Sequence, residues 1–282
     1  MNMPERRSVD LHSEVYAPAM GTVSSIDERA WITLIHGGLV ASPSWERQVK
    51  DLSPNLVDAY QVLTLDLRGY GRSPEAPEDG RYDVESFAAD IHRLWQRLGI
   101  ERSAVIGFSM GGFVAQELAL EHPEMVSALV LVSTGARLSP ALRAAFASRA
   151  QEIDEHGLAL EMEQHVAKSF SEEFRLDQPE LIEEYVAHMA ESRPRAVAAT
   201  FRELEGFDRS DDLDRLQCPV MVMCGELDPG LGPQFSQGLS ERIRGSELVV
   251  VPRVGHAVQI ENPNTFNRQV LDFLGRHAST DR

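Results

Sequence analysis

A serine hydroxyl attacks a carbonyl efficiently only when a base takes its proton and an acid orients that base. The stretch Gly107-Phe108-Ser109-Met110-Gly111-Gly112 holds a serine suited to that chemistry. G-x-S-x-G is a short pattern with many chance occurrences. Here the apolar run Ser103–Phe108 enters it and a helix-forming run, Met110–Glu121, leaves it. A strand running through a sharp turn into a helix strains the serine backbone and pushes the hydroxyl above a sheet edge, and small flanking residues let the two elements pass closely. The bland alternative is a glycine-rich turn with an incidental serine, and the residues downstream weigh against it.

The base must come from nine histidines. His256, in Val254-Gly255-His256, falls just after the last strand and before the last helix, in a loop at the same sheet edge as Ser109. The others fit less well. His92 is inside a helix; His122, His156, His165 and His188 are on or near polar helix surfaces; His12 and His277 are near the termini. His36 is expected to brace its own loop. For the acid, Asp228 follows the strand Val220–Cys224 and stands far enough into the loop to reach His256. Glu226 is its nearest rival. The strand ending at Ser133-Thr134 offers no carboxylate. A tetrahedral intermediate also needs two backbone donors. Met110, after the serine, supplies one; the glycine-containing loop His36-Gly37-Gly38-Leu39 supplies the other, from Gly38 or alternatively Leu39.

The elements that position these residues follow from periodicity. Apolar runs at Trp31–Ile35, Tyr60–Asp66, Ser103–Phe108, Ala128–Ser133, Val220–Cys224 and Glu247–Val251 read as buried strands. Between them lie helical segments: Ser42 to about Leu56, with Ser42 as cap and Pro43 in the first position; Asp83–Leu98, ended by Gly99; Met110–Glu121; Pro233–Ile243; and a final helix capped by Asn262-Pro263. Alternating strands and helices with near-continuous apolar strands imply a mostly parallel sheet with helices on both faces, an α/β fold. From Arg137 to Gln217 no strand is evident and several Ala- and Glu-rich helices are expected. This gives a core of residues 1–136 and 218–282 with a helical cap, 137–217, inserted in it.

The chain resembles the α/β-hydrolase superfamily over nearly its full length, nearest the branch of 3-oxoadipate enol-lactonases, small esterases, cofactor-free haloperoxidases and meta-cleavage C–C hydrolases. The resemblance is carried by His36-Gly37-Gly38, Asp66-Leu67-Arg68-Gly69-Tyr70-Gly71-Arg72-Ser73, Gly107 to Gly112, Gly225-Glu226-Leu227-Asp228 and Gly255-His256. It implies an oxyanion loop, a structural turn, a nucleophile elbow, an acid and a base, in the order Ser109, Asp228, His256, with the cap inserted after the sixth strand. The implied activity is cleavage of a small carboxylic ester or lactone. The same residues could serve C–C bond hydrolysis, perhydrolysis or, with turnover lost, a binding protein. Dehalogenation is disfavoured, because it needs a carboxylate where Ser109 stands.

Composition narrows the partners. A net charge of −17 argues against nucleic acid and anionic membranes. The segment 137–217 alone carries 18 acidic and 10 basic residues, a net of −8. No apolar run is long enough to span a membrane, and Met1–Asp10 lacks the apolar stretch of a secretion signal. The expectation is a cytoplasmic enzyme acting on a small molecule without cofactor or metal. Cys218 and Cys224 flank one strand, so they stand ~20 Å apart and remain reduced.

Overall fold

The computed structural model describes residues 9–17, 30–50, 55–77 and 80–277. In chain order it contains β1 (Ser13–Tyr16), β2 (Trp31–Ile35), α1 (Glu46–Val49), β3 (Gln61–Leu65), α2 (Val84–Leu98), β4 (Ser103–Phe108), α3 (Met110–Glu121) and β5 (Val126–Val132). Helices α4 (Pro140–His156), α5 (Ala159–Ser169), α6 (Glu172–Asp177), α7 (Pro179–Met189) and α8 (Pro194–Glu203) follow. The chain ends in β6 (Val220–Gly225), α9 (Pro233–Arg242), β7 (Glu247–Val251), α10 (Val258–Glu261) and α11 (Pro263–His277).

The strands form one sheet in the order β1-β3-β2-β4-β5-β6-β7, and only β1 runs antiparallel to its neighbour. This is the mostly parallel α/β sheet expected. After β3 the chain crosses β2 to pair β4 on its other side, so the strand order reverses between β2 and β4. Ligands bind such sheets in the crevice at the carboxyl ends of the strands flanking that reversal. Ile35 pairs Gly107, Phe108 pairs Val132, Val132 pairs Met223 and Gly225 pairs Val251. That register brings the loops after β2, β4, β6 and β7 to one edge.

The helices follow the sequence pattern. Asp83 caps α2 by accepting the Ser86 N–H at 2.8 Å, and Gly99 ends it in the left-handed region. Helix α3 is buried on all sides from Met110 to Leu120; its two polar residues find partners inside, Gln116 donating to Gly112 O and Gly135 O and Glu117 accepting from Arg209. Two boundaries differ from expectation. The helix beginning near Ser42 is a 3₁₀ turn, Ser42–Trp45, followed by α1, which stops at an extended Lys50 (φ −132°, ψ 176°). Asn55 and Asp58 then cap each other in a new turn, so Leu56 belongs to a fresh start. Ser42 is not the cap: its N–H donates to Asp66 Oδ1 at 2.8 Å, and Ala41 occupies the cap position. The inserted helices follow β5, the fifth strand of the described residues rather than the sixth; residues 18–29 and the N-terminal stretch before Val9 lie outside them. Both cysteines are free, and no described helix is long and apolar enough to cross a membrane.

Candidate active site

Ser109 sits between β4 and α3 with φ 53° and ψ −114°, a left-handed conformation rare for a residue with a side chain. Close packing sustains it. A Cβ on Gly107 would lie 2.3 Å from the Gly111 carbonyl oxygen, and one on Gly111 would lie 2.3 Å from that of Ile35. Only glycine lets β4, α3 and the end of β2 approach so closely. The Ser109 N–H donates to Val132 O at 2.8 Å, which fixes the turn against β5.

Asp228 and His256 meet across the loops after β6 and β7. The His256 Nδ1–H donates to Asp228 Oδ2 at 2.6 Å. The other oxygen, Oδ1, accepts the N–H groups of Gly230 at 2.9 Å and Leu231 at 3.1 Å. Burial pushes the Asp228 carboxyl up, but the facing imidazole and these amides outweigh it and hold the group below its ordinary value. Glu226, the rival, is exposed and accepts the Arg253 N–H at 2.9 Å, away from His256. The His256 loop is itself tied down. Ser133 Oγ–H donates to His256 O at 2.7 Å, and Ala257 N–H donates to Ser169 O at 3.0 Å. Glu261 Oε2 accepts the N–H groups of Gly255 at 3.0 Å and Ser171 at 3.1 Å. The His256 loop is therefore anchored to both the end of β5 and the junction of α5 and α6.

Ser109, Asp228 and His256 open onto one cavity of about 250 Å³, which Met110, Gly38 and Leu39 also line. The N–H groups of these last three donate to no group among the described residues, so both candidates for the second oxyanion donor remain in place. Leu39 has φ 69°. The rest of the lining is mainly apolar, with Phe113, Leu142, Phe146, Phe201, Leu204 and Leu231. Phe146 and Phe201, from the inserted helices, meet edge-on at 4.8 Å between ring centres.

The bracing residues behave as expected. His36 is fully buried; its Nδ1–H donates to Gly37 O at 2.7 Å and its Nε2 accepts the Leu67 N–H at 2.9 Å. Burial pushes its pKa down, so the neutral tautomer those two bonds require is the stable one. Asp66 accepts the N–H groups of Ser42 and Arg72, and Arg68 pairs with buried Asp90 at 2.6 and 2.7 Å. One histidine departs from its reading. His165 is not on a polar surface: it lines the cavity and shares a 3.0 Å hydrogen bond with Tyr185 Oη. Arg149 and Lys168, which the sequence did not single out, line it too. Among the described residues no group of three or more His, Cys, Asp and Glu side chains is arranged to hold a metal ion.

The comparisons with known proteins agree with this architecture. RutD of Caulobacter sp. (strain K31), whose name ascribes carbamate hydrolysis to it, is 29% identical over 263 residues, 87% of this chain and 96% of its own. The 3-oxoadipate enol-lactonase 2 of Acinetobacter baylyi is 30% identical over 232 residues, 82% of this chain and 84% of its own. A thermophilic esterase from Thermogutta terrifontis superposes with a TM-score of 0.84 at 26% identity, covering 95% of this chain and 94% of the esterase. The family model described as the alpha/beta hydrolase fold matches residues 30–263. The chain belongs to the α/β-hydrolase family.

Proposed function

We propose that the protein hydrolyses a small carboxylic ester or lactone through an acyl-enzyme on Ser109. The core is residues 1–136 and 218–282, and 137–217 closes over the site as a cap. The observation that carries this reading is the Asp228–His256 hydrogen bond of 2.6 Å opening onto the same cavity as Ser109 on its strained turn. His256 Nε2 takes the Ser109 Oγ proton as the oxygen attacks the carbonyl. Asp228 keeps the imidazole in the tautomer with Nδ1 protonated and stabilises the cation that forms. The negative oxygen is held by the Met110 N–H and by that of Gly38 or Leu39. His256 returns the proton to the leaving alkoxide, which departs, or stays tethered in a lactone. A water molecule, giving its proton to His256, then attacks the acyl carbon, and His256 passes that proton to Ser109 Oγ as the acyl bond breaks and the acid leaves.

The relatives support the same bond class, since their names ascribe to them the cleavage of an ester, an enol-lactone or a carbamate. The magnitudes are adequate. Proton transfer of this kind contributes about 10²–10⁴-fold and one oxyanion donor about 10²–10³-fold. The test is turnover of short-chain p-nitrophenyl esters by the wild type and by Ser109→Ala. The wild type should turn over and the variant should not; equal rates in the two would overturn the proposal.

A further inference from the structure

The charge lining the cavity opposes the charge of the molecule. The chain carries −17 and its cap −8, yet Asp228 is the only carboxylate among the lining residues, and both its oxygens are engaged. Arg149 on α4 and His165 and Lys168 on α5 line the same cavity.

Arg149 is held in a fixed pose. Its Nε donates to both oxygens of Glu161 at 2.9 Å, and its Nη2 also donates to Glu161. Its Cζ lies 4.9 Å from the ring centre of Phe146 and 4.7 Å from that of Phe201. Glu161 is 2% exposed and takes no part in the lining. The guanidinium is thus gripped on one edge and against two rings. Its remaining nitrogen, Nη1, donates to no group among the described residues. Such a grip removes the rotamer freedom an arginine otherwise loses on binding, and a planar fork suits an oxyanion. Lys168 is exposed and lies three residues after His165, on the same side of α5. His165 itself stays neutral, because burial and then the nearby Arg149 push its pKa well down. A tie between α4 and α5 would account for Glu161 and Arg149, but not for a second cation at the same cavity.

We infer that the substrates carry one acidic group, a carboxylate, at the end remote from the scissile bond, bound by Arg149 Nη1 and Lys168 Nζ. This rests on ester or lactone cleavage at Ser109. The apolar lining takes the hydrocarbon between the two ends.

The experiment compares monoethyl esters of succinic, glutaric and adipic acids with the same esters whose free acid is converted to the amide. The wild type should prefer the best acid over its amide by about tenfold or more in kcat/KM, chiefly through KM. The preference should shrink as salt is raised. Removing Arg149 alone would strand a buried Glu161, so the variants are Arg149→Met combined with Glu161→Met, and Lys168→Met alone. Each should lower the acid-to-amide ratio severalfold. A ratio at or below one in the wild type, or one unmoved in both variants, overturns the inference. Calorimetry on Ser109→Ala, with glutarate and glutaramide as probes, separates the two readings. If no ester is turned over, ester cleavage falls, and the binding preference still decides the anion site: tighter binding of glutarate supports it, and equal binding overturns it.

Discussion

Asp228→Asn tests the link between the acid and the base. The carboxylate uses both oxygens: Oδ2 takes the His256 Nδ1–H at 2.6 Å and Oδ1 takes two loop amides at 2.9 and 3.1 Å. An asparagine has one acceptor oxygen and one NH₂. Its oxygen stays with the two amides, because turning it would leave both N–H groups facing an NH₂ donor. The NH₂ then faces His256 Nδ1, which must become an acceptor. The ring proton moves to Nε2, and the lone pair that would take the Ser109 proton is gone. Wrong-tautomer changes of this kind cost about 10⁴ in kcat, or ~5.4 kcal/mol at ~1.36 kcal/mol per tenfold. The fold should survive, since the loop amides keep their acceptor. The assay is steady-state hydrolysis of p-nitrophenyl acetate, with a thermal melt to show that the variant is folded. A folded Asp228→Asn within tenfold of the wild type would refute the reasoning. So would an equal loss in Glu226→Gln, whose exposed side chain accepts the Arg253 N–H.

Three further outcomes are expected. Gly111→Ala puts a Cβ 2.3 Å from the Ile35 carbonyl and should destabilise by about 1–3 kcal/mol or more; a denaturant midpoint equal to the wild type would contradict the packing at the turn. Asp90→Ala leaves the buried Arg68 charge, 1% exposed, without its carboxylate, and should cost about 3–5 kcal/mol, read as a drop in the denaturation midpoint with little change in KM. Stability should also fall on mild acidification. The His36 and His165 pKa values are held below 6.5, so the unfolded chain binds protons that the folded one refuses. Their contribution is complete above pH 6.5 and is lost as the pH falls below it, at up to about 1.4 kcal/mol per pH unit for each group. Asp228, held below 3.8, adds a loss at still lower pH. Denaturant melts at successive pH values below neutrality check the sign; stability rising toward acid would contradict it.

The sheet and the meeting of Ser109, Asp228 and His256 at one cavity were legible because local rules set them. Gly107 and Gly111 announce a turn that only small residues permit, and the apolar runs on either side can bury only as strand and helix. Asp228 and His256 were legible because each follows a strand ending at the same edge. The lining of the cavity was not. Periodicity tells which side of a helix is buried, but not what it is buried against. His165 reads as one polar position on α5, yet its partner Tyr185 stands twenty residues on, on α7. Arg149 reads as a solvated charge in an acidic segment, and only the packing of α4 on α5 and α8 places it between Phe146 and Phe201. Glu261, which nothing in its local sequence marks, links the His256 loop to Ser171. Near Ser42 the pattern suggested one long helix. Pro54, which cannot continue a helix, and the Asn55–Asp58 cap were the signals that argued for two short turns.

In the proposed mechanism Ser109 carries the acyl group. Reaction with a serine-directed fluorophosphonate, followed by mass analysis of the digested protein, tests it most directly. One equivalent of label is expected on the peptide containing Ser109, slowed when an ester substrate competes for the site and greatly slowed in His256→Ala. Label on a different residue, or equal labelling of Ser109→Ala, would contradict it.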